Sequence, residues 1–178
     1  MKKYNKSLLF LIKFFLTYFI FFAIYSFYLN ENQQKQDGFK VDPITKMVAN
    51  QTVAVINYSD YFANTSQHQE ELSMKIYVEK TYVSRVIEGC NSVSIVILFI
   101  AFIVAFSGGL KATILYSLVG SLLIYGMNIL RIAFLSIMLF RFPEQQVLLH
   151  NIVFPAIIYG FTFLLWVVWV KRFSNLKR

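Results

Sequence analysis

The sequence predicts an all-α, polytopic membrane protein, organised as a single integral membrane domain over residues 1–178. Three observations carry this. Hydrophobic residues make up 57% of the chain, with 19 Phe and 11 Tyr, and a soluble domain of this size has no use for so many aromatics in unbroken apolar runs. Four apolar runs come close to the length of a hydrocarbon core, over residues 7–29, 91–107, 112–140 and 152–170. The formal charge of +8 gathers at the ends, with Lys2, Lys3, Lys6 and Lys13 at one terminus and Lys171, Arg172, Lys177 and Arg178 at the other. Basic ends flanking apolar runs are topology signals, and they argue against nucleic acid as a partner.

The first run begins like a secretory signal, with lysines and then an apolar core. It has no small-x-small cleavage site, so it reads as a retained anchor. Lys13 is close enough to the inner surface to snorkel there. The positive-inside rule puts the N-terminus, the Gly108–Gly109–Lys111 turn and the basic C-terminal tail in the cytoplasm. The loop over residues 30–89 then lies outside, with eight acids against six bases.

That loop is expected to be folded. Asp42-Pro43 has the form of an N-cap followed by Pro at the first helical position. Ile44, Met47, Val48, Val55 and Ile56 recur at roughly helical spacing, which predicts an amphipathic helix suited to the membrane surface. Met74–Val78 and Thr81–Ile87 read as two short strands turning at Glu79-Lys80, although those turn residues are poor hairpin formers. The second strand delivers the chain to Glu88-Gly89-Cys90. The run that follows is short for a span, and the third is long enough to tilt or overhang.

Chemistry-bearing residues are few. Cys90 precedes Lys111 by 21 positions, Arg131 follows Lys111 by 20, and His150 precedes Lys171 by 21. At 1.5 Å per helical residue each interval is roughly 30 Å, about one hydrocarbon thickness. A thiol, a guanidinium and an imidazole are therefore expected together at the outer surface. Cys90 is the lone cysteine, which excludes an internal disulfide or a CxxC pair and leaves a structural thiol or a nucleophile. At a helix N-terminus, free N–H groups and the helix dipole would favour its thiolate; the bland alternative is a small apolar filler.

Arg131 sits within an apolar run, where a fixed charge is costly and commonly functional, or else anchors by snorkelling. Asn128, three residues earlier on the same helical face, is placed to orient its guanidinium. His150 heads the last run as a neutral base, or is an interfacial residue without a task. His68 lies in a polar stretch and reads as solvated loop. Two histidines in such different contexts make a poor metal site, and neither metal nor cofactor is expected.

Glu88-Gly89-Cys90-Asn91-Ser92, then Asn128-Ile129-Leu130-Arg131-Ile132, then His150 on the last helix resemble the exosortase/archaeosortase family, specifically its short Bacteroidetes branch, type F. The likeness covers about half the chain, from Glu88 to the C-terminus. Many exosortases carry Glu-Ala-Cys-Ser-Gly where Gly89 and Asn91 stand here, and larger members have more spanning helices. The family histidine is often followed closely by Gly, whereas Phe154-Pro155 follow His150.

The resemblance implies a multi-pass protein of the bacterial inner membrane whose periplasm-facing cysteine peptidase or transpeptidase site processes C-terminal sorting signals. Its partners would be membrane-anchored substrate proteins. The catalytic set would be Cys90, Arg131 and His150, with Glu88 and Asn128 as supporting candidates. Four helices are few for enclosing a substrate helix, which leaves room for a dimer or an accessory membrane protein. The competing readings are a non-catalytic scaffold or accessory subunit of an export system, and a small transporter. Every acid lies outside the four runs, which counts against proton-coupled transport.

Overall fold

Apolar segments must pair their own backbone polar groups, and helices do so without outside help. The computed structural model describes residues 2–34, 38–106 and 108–173, with side chains from Ser7 onward. Lys35, Asp37, Ser107, Lys177 and Arg178 lie outside the described residues. The elements are α1 (Lys2–Asn32), α2 (Pro43–Asn57), β1 (Ala63–Gln67), β2 (Ser73–Val78), β3 (Thr81–Ile87), α3 (Val93–Ala105), α4 (Leu110–Arg141), a three-residue turn α5 (Gln146–Leu148) and α6 (Phe154–Arg172).

Three helical stretches are long and apolar enough to cross a membrane: Ser7–Asn32, Leu110–Arg141 and Pro143–Arg172. The expected second span over 91–107 is corrected. Its helix has 13 residues, roughly 20 Å of rise against a hydrocarbon core of about 30 Å. The reason is local: Ser92 takes a left-handed conformation (φ 67°) and holds helical geometry off until Val93. A short α3 is tolerable because protein surrounds it. It packs against α1, α4 and α6, and among the described residues it contributes none of the large exposed apolar side chains.

Neighbouring helices run antiparallel. Phe10 of α1 meets Phe106 edge-on at 4.6 Å, while Tyr25 meets Asn91 at the other end of the pair. The Tyr116 hydroxyl of α4 donates to the Leu165 carbonyl of α6 at 2.7 Å. Where α3 crosses α4, Phe99 lies over Gly120, and a Cβ there would stand 2.3 Å from the ring. Glycine permits this close approach. Phe99, Ile103, Ile124, Ile158 and Trp169 form the buried centre of the bundle.

A second core caps the end of the bundle opposite Lys111. It joins Val48, Ala49 and Ile56 of α2 and Ile76, Val78 and Val86 of the sheet to Ile132 and Ala133 of α4. The α2 helix starts as its sequence predicts, with the Asp42 carboxylate accepting from the Thr45 N–H at 2.9 Å and Pro43 at the first position. Its apolar stripe faces α4 and the sheet, so protein takes the place expected for a membrane surface. The β2–β3 hairpin also forms, with Val78 opposite Thr81 and both turn residues left-handed (Glu79 φ 49°, Lys80 φ 67°). Glu79 offsets some of that strain, because its N–H donates to the Phe62 carbonyl and its carboxylate accepts from the Phe62 N–H, each at 2.8 Å. β1 adds an antiparallel third strand that the sequence pattern does not predict.

Candidate functional site

The site is built where β3 runs into α3. Residues Glu88–Cys90 form one 3-10 turn directly after β3. The half-buried Cys90 therefore sits at a junction of sheet and bundle. Its expected position at the N-terminus of a helix is corrected. Two residues separate it from Val93, and the Val93 N–H is already taken by the Asn91 side-chain oxygen at 3.0 Å.

Asn128 reaches this turn from α4. Its side-chain amide donates to the Cys90 carbonyl at 2.7 Å. The expectation that it orients Arg131 is thus replaced by a direct hold on the cysteine backbone. Asn128 is fully buried, and its Oδ1 has no partner.

Arg131 lies one helical turn further along the same face. It is 9% exposed, within electrostatic range of Cys90 and Tyr159, and its Nε has no hydrogen-bond partner. A buried donor without a partner is costly, so it marks either a ligand position or a reserve of strain. Its guanidinium lies 4.7 Å from the centre of the Phe154 ring. Stacking of this kind desolvates the charge from one side and fixes its plane.

Phe154 also links His150 to the group, the two rings meeting edge to face at 5.5 Å. His150 is exposed and lies in a π-helical turn, Leu149–Val153. The expectation that it heads a helix is corrected. Pro143, with its fixed φ and missing N–H, opens a 3-10 turn seven residues earlier, and helical geometry runs on from there. Among the described residues, no hydrogen bond joins His150 to Cys90 or Arg131.

The half-buried Glu88 lies within electrostatic range of the Tyr25 hydroxyl. His68 belongs to the β1–β2 connection, where its Nδ1 accepts from the Glu70 N–H at 3.1 Å. Among the described residues no group of three His, Cys, Asp or Glu side chains is arranged to hold a metal.

Chemically, the arrangement offers a thiol, a desolvated cation and an unpaired amide oxygen around one turn, with an imidazole at the edge. Sequence reasoning missed Phe154, which bridges Arg131 and His150. It also missed Tyr25, Thr45 and Asn91, which hold the Cys90 turn. An aromatic one turn after His150 was a usable signal for the first, and Asn91 stands in the Glu-Gly-Cys-Asn motif; Tyr25 and Thr45 had none. Comparison with family models, curated proteins and solved structures returns no match.

Proposed function

We propose that the chain is an exosortase-like membrane cysteine peptidase or transpeptidase that processes C-terminal sorting signals of exported proteins. The observation that carries the reading is the convergence on one turn. Asn128 bonds the Cys90 carbonyl, and Arg131, three residues on along α4, is buried within electrostatic range of Cys90 with an open Nε.

The Cys90 sulfur, as thiolate, attacks the scissile carbonyl carbon and forms a tetrahedral oxyanion, for which the unpaired Arg131 N–H is the donor. Collapse breaks the C–N bond, leaving an acyl thioester on Cys90. His150 supplies the proton that the departing amine needs. An amine, a hydroxyl or water then attacks the thioester, gives its proton to His150, and releases the Cys90 thiolate, which restores the starting protonation of the pair. The first two outcomes are transfer and the last is hydrolysis. His150 has to swing from its edge contact with Phe154 to serve, and the π-helical turn is a common device for re-aiming a side chain at functional sites. In this reading the sheet-bearing end faces the periplasm of the bacterial inner membrane, and the Lys111 end faces the cytoplasm.

A second reading, a non-catalytic scaffold or accessory subunit of an export system, is favoured by the missing hydrogen bond between His150 and Cys90. One experiment separates them. Co-expression with exported proteins ending in an apolar helix and a basic cluster is expected to give processed product with wild type and none with Cys90→Ala or Cys90→Ser. Equal processing by Cys90→Ala rejects the peptidase.

A further inference from the structure

Next to Cys90 in the chain begins a polar network buried among apolar helices. Asp42, Thr45 and Asn91 are each at most 1% exposed, and Tyr25 is 6% exposed. They come from four places in the chain: the last third of α1, the N-cap of α2, its first turn, and the residue after the cysteine. Buried polar groups survive only when they are paired, and a fully paired network fixes geometry more tightly than apolar packing does.

The hydrogen bonds have a fixed direction. The Val93 N–H donates to Asn91 Oδ1 at 3.0 Å, so the other end of the amide must be the NH2 group. That group donates to the Tyr25 hydroxyl at 2.8 Å and to Thr45 Oγ1 at 3.2 Å. The Thr45 hydroxyl spends its own proton on Asp42 Oδ2 at 2.7 Å. Tyr25 accepts from Asn91, and Glu88 lies within electrostatic range of its hydroxyl. The bonds thus join Tyr25 and Thr45 through the Asn91 amide and end on the Asp42 carboxylate.

We propose that Tyr25, Thr45 and Asn91 are the positioning residues of the Cys90 thiol, so that the first helix contributes a working side chain and is more than an anchor. Asn91 is the pivot. It caps α3 in place of Ser92, whose left-handed backbone places no side-chain cap there, and it ties the residue next to the sulfur to α1 and α2. Asn128 holds the Cys90 carbonyl from α4. The turn is thus clamped by two amides, one tied to α1 and α2 and the other borne on α4. This rests on the peptidase reading for its consequence in turnover, but the clamp itself has a signature in the chemistry of the thiol.

The test uses the full-length protein in detergent. Tyr25→Phe, Thr45→Val and Thr45→Ser change single atoms and serve as primary variants, with Asn91→Ala as the severe one. Two quantities are read: the rate of Cys90 alkylation by iodoacetamide, and kcat and KM for a processed substrate. Tyr25→Phe and Thr45→Val are expected to shift alkylation about tenfold, the order that one net hydrogen bond carries, and to lower kcat with KM kept. Thr45→Ser, which keeps the hydroxyl, is expected to restore both. Alkylation rates matching wild type in Tyr25→Phe and Thr45→Val overturn the clamp. An equal loss in Thr45→Ser and Thr45→Val also overturns it, because packing and not the hydroxyl is then responsible. If wild type processes no substrate, the peptidase reading fails while the alkylation arm still decides the clamp.

Discussion

The Asn128 side-chain amide donates to the backbone carbonyl of Cys90 at 2.7 Å, joining residues 38 apart in sequence. This is the direct link between α4 and the cysteine turn. Asn128→Leu leaves a carbonyl unpaired, which costs on the order of 1–3 kcal/mol. A lower midpoint of thermal unfolding in detergent is the expected result. Asn128→Asp is expected to be at least as damaging, because it sets a carboxylate oxygen against the carbonyl. A midpoint unchanged in both variants would show the bond to be idle.

Arg131→Lys tests the guanidinium and not the charge. Lysine keeps the cation but loses Nε and the flat face that lies over Phe154. Removing one oxyanion donor typically slows a reaction by about 10²–10³. Substrate processing is expected to fall by that order in Arg131→Lys. Retention of wild-type rates would reduce Arg131 to a point charge.

The α3–α4 crossing makes a paired prediction. Gly120→Ala places a methyl 2.3 Å from the Phe99 ring, and overpacking of this kind costs about 1–3 kcal/mol. Phe99→Leu in the same chain is expected to recover most of the loss. Thermal midpoints of the two single variants and the double variant check this, and additive losses would contradict it.

The β2–β3 turn holds strain that can be relieved. Lys80 has φ 67° without being glycine, a conformation that costs an ordinary residue roughly 1–2 kcal/mol. Lys80→Gly, which suits the second position of such a turn, is expected to stabilise the sheet by about 1 kcal/mol once the extra chain entropy of glycine is deducted. A denaturation midpoint that falls would mean that Lys80 earns its place through contacts.

Local signals in the sequence were read well and distant ones were not. The α2 start is written in Asp42-Pro43, and β2 and β3 in the alternation of Met74–Val78 and Thr81–Ile87. β1 is Ala-Asn-Thr-Ser-Gln, with no apolar alternation, and it forms because β2 offers an edge to pair with. The start of the last helical stretch was hidden by Phe142-Pro143-Glu144, which reads as a loop until Pro143 is taken as a first helical residue. The length of α3 was overestimated because nothing in Asn91-Ser92 announces a left-handed backbone. At the site, helical spacing puts Asn128 and Arg131 on one face, but it does not show that Asn128 reaches the Cys90 carbonyl, 38 residues away. Tyr25 was not legible, because a tyrosine in an apolar helix looks like membrane packing until Asn91, 66 residues away, is seen to meet it.

Arg131 is ten residues short of the end of α4, so it lies about 15 Å below the tip of that helix. Asn128 bonds the cysteine turn from one helical turn deeper still. In the peptidase reading, an extended peptide entering from the sheet-bearing end would therefore need about four or five residues to reach the depth of the guanidinium.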